Sequence, residues 1–385
     1  MGRDGRDFDI AVLGATGFTG QLIASYLAEH APSTTRIALA GRDRAKLESV
    51  RASGGSGFEL VVVDVADAAA MRDLAERTRV LATTVGPYIS HGDAVVGACA
   101  EAGTDYLDLT GEPEFFDLTY LRHHARACET GARLVHACGF DSMPHDLGVQ
   151  MTVESLPEGV PLAVRGLVYV HGTFSGGTAA SALEIMSRQR AARSVHDVRH
   201  RVEPSPGDRK VRIATATVGR DADVGSWVVP MPTIDPQVVA LSARQIERYG
   251  PDFTYSHSLA SATPLGAAGA VAGAGALFVA AQVPAIRRAI TRFRPSGSGP
   301  SPAQRERSTF TVRFFGEGGG ERASVEVSGG DPGYTETSKM ISEASLCLAL
   351  DDLPSTCGQV TTASAMGVAL RSRLQAAGIR FERTS

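Results

Sequence analysis

A doubly wound parallel α/β sheet followed by a second α+β domain is the fold class this sequence predicts, and three observations predict it. Through the first ~150 residues, short apolar runs alternate with amphipathic stretches of helical period. Gly14, Gly17 and Gly20 punctuate the first passage from apolar run to helix. Farther on, LAVRGLVYVHG and the pair FTVRFFGEGG and ERASVEVSGG alternate apolar with polar residues, as antiparallel strands do. The expected division is 1–150 for the first domain and 151–385 for the second, which is built on a mostly antiparallel sheet.

The bulk composition agrees. A chain of 385 residues is too long for one small core. With 43% hydrophobic and 21% charged residues it reads as soluble and globular. The net charge of −4 argues against a nucleic-acid partner, which selects a large positive excess. Cys99, Cys128, Cys138, Cys347 and Cys357 are odd in number and form no C-x-x-C pair. They read as reduced thiols of a cytoplasmic protein, with no metal site. The opening MGRDGRDFDI carries no apolar signal region.

Taken in order, Phe8–Leu13 is the first strand. Gly14-Ala15-Thr16-Gly17-Phe18-Thr19-Gly20 is a strand-to-helix turn, and the helix after it sets Leu22, Ile23, Tyr26 and Leu27 on one face. Glycine lets backbone N–H groups close on a bulky anion, and the helix N-terminus favours the same negative charge. The G-x-x-G-x-x-G spacing is a relative of the dinucleotide fingerprint, so a pyrophosphate is the expected occupant of a Rossmann-type domain. The plain alternative is a tight structural turn.

The second strand, RIALAGR, ends on Arg42 where an NAD-binding chain places an acid. A guanidinium pairs with a 2′-phosphate, so the expected coenzyme is NADP, used as NADPH. Asp43, read as a helix cap, leaves some room for NAD. The third strand, LVVVDVAD, carries Asp64 toward the adenine end. The fourth, VLATTVGPY, brings Val85, Gly86, Pro87 and Tyr88 toward the nicotinamide half. TDYLDLTGE and ARLVHACGF are the fifth and sixth. In the second half GTAASALEIMSRQRAARS, YTETSKMISEASLCLAL and TTASAMGVALRSRLQAAG read as helices, the late ones returning to the first domain.

Ser258 to Ile286 holds no charge, and Arg287, Arg288, Arg292 and Arg294 follow. Alanine and glycine dominate it, so three readings stay open: a buried core helix, contact with an anionic membrane surface, or a span. The stretch PSGSGPSPAQRER reads as a linker.

By its ordered blocks the chain resembles the saccharopine-dehydrogenase-like oxidoreductases, and within them the trans-acting enoyl reductases. The blocks are GATGFTG, ALAGR, TTVGPY, GTDYLDLTGE, ACGFDSMPHDLGV, SGGTAASALE, PTIDPQVV, GDPGYTETSKM and TTASAMG, and they cover almost the whole chain. His145 stands where the family often has a small residue, and Thr362 where it often has proline. The resemblance implies an NADPH-dependent reductase of a lipid or polyketide-derived unsaturated thioester. Its expected partners are a small-molecule or lipid-linked substrate, with an anionic membrane or a polyketide synthase beyond it. A homodimer stays open, and the expected place is the cytoplasm, with attachment at the periphery of the plasma membrane also left open. Two other readings remain: a saccharopine-type amino-acid dehydrogenase, and a coenzyme-binding scaffold on lipid surfaces without catalysis.

Enoyl reduction needs a proton donor and a partner for the developing oxyanion. Candidates lie in loops at strand ends. Tyr88, Asp141 and His145 lead, with His91, Ser142 and Asp146 nearby. Against them, Tyr88 reads equally well as packing, and Asp141 and Ser142 as caps of the helix entered at Pro144. Asp108 and Glu112 either orient substrate or satisfy loop amides. Ser175, Gly176, Gly177 and Thr178 resemble another helix N-terminus that receives an anion.

Overall fold

The computed structural model describes residues 5–54, 57–172, 183–283 and 299–384. The first half runs β1 Phe8–Leu13, α1 Phe18–His30, β2 Ile37–Gly41, α2 Arg44–Ala52, β3 Glu59–Val62 and α3 Ala68–Glu76. It continues β4 Thr78–Thr83, α4 Tyr88–Ala102, β5 Asp105–Leu107, α5 Pro113–Thr130, β6 Arg133–Val135 and α6 Met143–Glu154. Its strands pair in parallel in the order β3-β2-β1-β4-β5-β6. Every residue of β1 is buried, as expected of a strand covered by helices on both faces. α4 and α5 stop at left-handed glycines, Gly103 (φ +70°) and Gly131 (φ +78°), where a side chain would be strained.

The second half contains β7 Leu162–His171, α7 Gln189–Val202, β8 Lys210–Ile213, β9 Gly219–Arg220, β10 Trp227–Pro230, α8 Asp235–Gln245 and β11 Asp252–Ser261. After it come α9 Pro264–Gln282, α10 Pro302–Glu306, β12 Thr309–Gly318, β13 Glu321–Gly329 and α11 Thr335–Leu350. The described chain closes with β14 Gly358–Val360, α12 Thr362–Ala365, α13 Gly367–Ala376 and β15 Arg380–Arg383. Eight strands form one mixed sheet in the order β15-β13-β12-β7-β11-β10-β9, with β8 beside the first half of β11. Most pairings are antiparallel, but β11 runs parallel to both β7 and β8.

The first sheet draws on both ends of the chain. β14 adds a seventh parallel strand beside β6, and α11 packs on α1, β1 and β4. α6 closes the first half and lies on β7, β12 and β13 of the second sheet. Their approach is close enough that a Cβ on Gly148 would stand 2.2 Å from the Phe314 ring.

The alanine-rich segment departs from one expectation. α9 is buried only at Ala267 and Ala281, which removes the core-helix reading for its described part. Pro284 to Ile286 and the arginines at 287, 288, 292 and 294 lie outside the described residues, as do Ser175, Gly176, Gly177 and Thr178.

Candidate active site

The glycine turn forms a cradle that side chains would fill. Gly14 has φ +85°, and a Cβ there would stand 2.7 Å from Thr84 Oγ1 and 2.9 Å from Val85 Cγ2. A Cβ on Gly20 would lie 2.2 Å from the Gly14 carbonyl oxygen. α1 begins at Gly17 with no side-chain cap, so Phe18, Thr19 and Gly20 begin a helix whose first turn no side chain closes. α4 differs: the Glu112 carboxylate accepts from the amides of Tyr88 (2.9 Å) and Ile89 (2.8 Å). Of these two helix entrances at the sheet's carboxyl edge, α1's suits a pyrophosphate and α4's is already taken.

The strand order lines up the remaining coenzyme candidates. β3, β2, β1 and β4 are neighbours, so their ends span about 14 Å, three strand spacings. Arg42, after β2, is exposed and makes no ion pair among the described residues. Asp43 beside it is engaged, accepting from the Lys46 amide at 3.1 Å as the cap of α2. Asp64 is exposed beyond β3 and accepts from the Ala66 amide at 3.0 Å. Val85 and Thr84 press on Gly14, and Gly86 and Pro87 carry the chain from there into α4. These residues therefore fit a dinucleotide laid from Arg42 across the turn to Gly86.

At the Gly86 end a cavity of ≈ 400 Å³ opens between the two sheets. Its one side is the carboxyl edge of the parallel sheet, with Thr84, Gly86, Tyr88, Leu109 and Asp141. The other is the second half, with His171 ending β7, Met231 to Ile234 after β10, Met186 and Gln189, and Tyr334. The Tyr334 ring packs edge-on against Phe18, 4.8 Å between centroids, and so ties the cavity wall to the glycine turn. This is the crevice at a topological switch point where open α/β sheets bind ligands.

Asp141 lies on this cavity wall and makes no hydrogen bond among the described residues. Water reaches its side chain through the cavity mouth, while protein encloses it elsewhere. That enclosure, and next the Asp235 charge, push its carboxyl up to about 7. The upward push is greatest when a ligand fills the cavity and removes the remaining water. Ser142 starts α6 but its side chain makes no cap, and its hydroxyl is buried with no partner among the described residues. The capping reading of this pair therefore fails: neither side chain closes the helix.

His145 stands one step behind, fully buried in contact with Phe140 and Phe314. Its Nδ1 is 3.1 Å from Asp235 Oδ1, and the His257 Nε2 is 3.9 Å from Asp235 Oδ2. Burial pushes the His145 imidazole down to about 4, outweighing Asp235. It is neutral at pH 7 and does not reach the cavity wall, so it holds no proton to deliver there. His145, Asp235 and His257 bring ligand atoms within 4.8 Å of one another, a set able to hold a divalent cation after a small inward shift. Asp235 and His257 escaped the sequence reading. His257 left a signal, because it shares the inward face of β11 with Phe253 and Tyr255 at a spacing of two.

The other candidates hold the frame. The Tyr88 ring lines the cavity, but its hydroxyl donates to the Thr83 carbonyl (3.1 Å) and accepts from the Leu109 amide (3.2 Å). Burial pushes that phenol well above its ordinary range. Asp108 accepts from Tyr106, from the amides of Thr110 and Ala137, and contacts His136 Nδ1 at 2.7 Å. It thereby holds Ala137 at φ +57°, a left-handed conformation that costs a non-glycine residue ~1 kcal/mol. Asp146 is buried and accepts from Ser242, Thr362 and the Ala363 amide, tying α6 to α8 and α12. His91 lies on the exposed side of α4, off the cavity wall.

Comparison with known proteins agrees with this architecture. Residues 10–136 match the saccharopine dehydrogenase NADP binding domain. The chain is 36% identical to the trans-acting enoyl reductase of Mycobacterium tuberculosis over 409 residues, 97% of each protein. It is 36% identical to that of Mycobacterium ulcerans over 408 residues, again 97% of each. The apo saccharopine dehydrogenase of Saccharomyces cerevisiae shares the fold with a TM-score of 0.53 at 11% identity, over 98% of this chain and 99% of that one. A glycine cradle on a parallel sheet, a cavity at its switch point and full-length kinship place the chain in the saccharopine-dehydrogenase-like oxidoreductase family, among relatives named trans-acting enoyl reductases.

Proposed function

We propose that the protein is an NADPH-dependent enoyl reductase that saturates the α,β double bond of a lipid or polyketide-derived thioester, carried by a separate synthase. The names of its relatives suggest the reaction. The observation that carries the reading to this chain is the chemistry of the cavity wall. Among the described residues it has no arginine or lysine, its flanks are apolar (Phe140, Val170, Ile185, Met186, Met231), and one carboxyl, Asp141, is left without a partner. A substrate with several carboxylates, as a saccharopine-type dehydrogenase would take, meets no cation there. An acyl thioester meets apolar surface.

The residues from Arg42 to Gly86 would hold NADPH, which would supply the hydride for the β carbon. Asp141 holds the proton that the α carbon requires. A carboxyl raised to about 7 is protonated below that pH and stripped above it. The proton-donating form is therefore present in acid and neutral solution and lost as pH rises through about 7. The apolar flanks keep water from the reacting carbons.

The test follows NADPH oxidation with an enoyl thioester. Asp141→Asn should lower turnover about 10²–10⁴-fold, the usual worth of a positioned acid, while NADPH still binds. The wild-type rate should fall above pH ~7, and the variant should lose that dependence. An unchanged rate in Asp141→Asn removes Asp141 as the proton source. Tight NADPH binding with no turnover of any enoyl thioester removes the reductase reading.

A further inference from the structure

The helix α9 is apolar on every side. From Pro264 to Gln282 its one polar side chain is that of the terminal Gln282, and it is long and apolar enough to cross a membrane. Leu265, Val271, Phe278 and Val279 are all exposed. A contiguous apolar surface of this kind marks an interaction site.

Its attachment limits how it meets a partner. Ala267 near one end and Ala281 near the other are buried, and the helix packs on β10. At its far end the Gln282 amide donates to the Met186 carbonyl at 3.1 Å. Both ends are held to the same body. A helix so tied lies along a surface rather than passing through a bilayer with its ends on opposite sides.

Charge selects the surface. The chain carries a net charge of −4, yet no Asp or Glu occurs between Asp252 and Glu306. Arg287, Arg288, Arg292 and Arg294 follow the helix within that interval. An apolar helix followed in sequence by four arginines suits acyl chains beneath anionic headgroups. Position adds a reason for it to be there. Met186, which the helix end grips, lines the cavity together with Ile185 and Gln189.

We propose that α9 docks flat on an anionic bilayer and brings the cavity rim at Met186 to the membrane, so that an acyl chain enters from the lipid phase. The docking stands on the helix and the arginines that follow it in sequence; the acyl chain's entry rests on the enoyl-thioester reading.

The test uses the full chain without coenzyme or substrate, sedimented with phosphatidylcholine vesicles that do or do not contain phosphatidylglycerol. Binding should require phosphatidylglycerol, and Ala272→Asp, on the exposed middle of the helix, should weaken it about tenfold or more while thermal unfolding stays unchanged. In a Phe278→Trp variant the added emission should shift to the blue on binding and be quenched by brominated acyl chains. Absence of binding, equal binding to neutral vesicles, or a tryptophan untouched by brominated lipid overturns the proposal. So does a dimer in light scattering that Ala272→Asp converts to monomer, which would assign the helix to a second copy. Because no substrate is present, a failed reductase assay leaves this result standing, and failure to bind vesicles leaves the reductase reading standing.

Discussion

The helix α11 carries Glu336, Lys339 and Glu343, yet 13 of its 16 residues are buried. The helix α9 carries no charge, and 2 of its 19 residues are buried. Hydropathy alone would exchange their places. α11 runs from the cavity wall at Thr337 along α1, β1 and β4, and it covers one face of the parallel sheet. Its charges are answered there. Lys339 pairs with Glu336 at 2.7 Å, and Glu343 accepts from Tyr26 (2.7 Å) and Arg373 (3.3 Å). Burial follows from where the chain's topology puts an element, and polar groups tolerate it when each finds a partner. α9 rests on β10 and β11 of the mixed sheet, and no described element covers its other side. Its apolarity is then available to something outside the chain.

The same substitution in the two helices sharpens this contrast most. Ala344→Asp in α11 places a carboxylate at a fully buried position with no cation supplied. It should cost about 4 kcal/mol or more by denaturant unfolding, or prevent folding outright. A smaller loss would mean that α11 is less enclosed than its packing indicates. Next in size, Arg373→Ala should cost about 2 kcal/mol, measured the same way. That is below the ~3–5 kcal/mol of a fully enclosed pair, because the Arg373 side chain is 27% exposed. Smallest, Ala272→Asp in α9 should change stability by no more than ~0.5 kcal/mol. A large loss there would show that α9 is covered in solution, and the contrast would break.

Much of the fold was legible because its signals are local. The run Phe8–Leu13, the glycines at 14, 17 and 20, and the face of Leu22, Ile23, Tyr26 and Leu27 each lie within a few residues, and backbone sterics impose them wherever they occur. The place of Arg42 just after β2 was legible for the same reason, since a strand's end is one residue from its loop. The site was legible only in outline. Asp141 and Ser142 read alike, as neighbours before Pro144, and the structure separates them: one carboxyl faces the cavity, one hydroxyl is buried behind it. Tyr88 carried the right position and a committed hydroxyl. Asp235, His257 and Tyr334 join the site from far along the chain, and no spacing connects them to Asp141.

By itself the sequence determined the parallel sheet, the glycine turn between its first strand and helix and the presence of one long uncharged segment, because dihedral preference and hydrophobic period act between near neighbours. Tertiary structure alone decided which cavity carboxyl has no hydrogen-bond partner among the described residues, which histidines lie behind the cavity, and that Pro264–Gln282 stands outside while Thr335–Leu350 lies within. Solvation, ion pairing and burial depend on what packs across space, and chain segments far apart in sequence supply that packing.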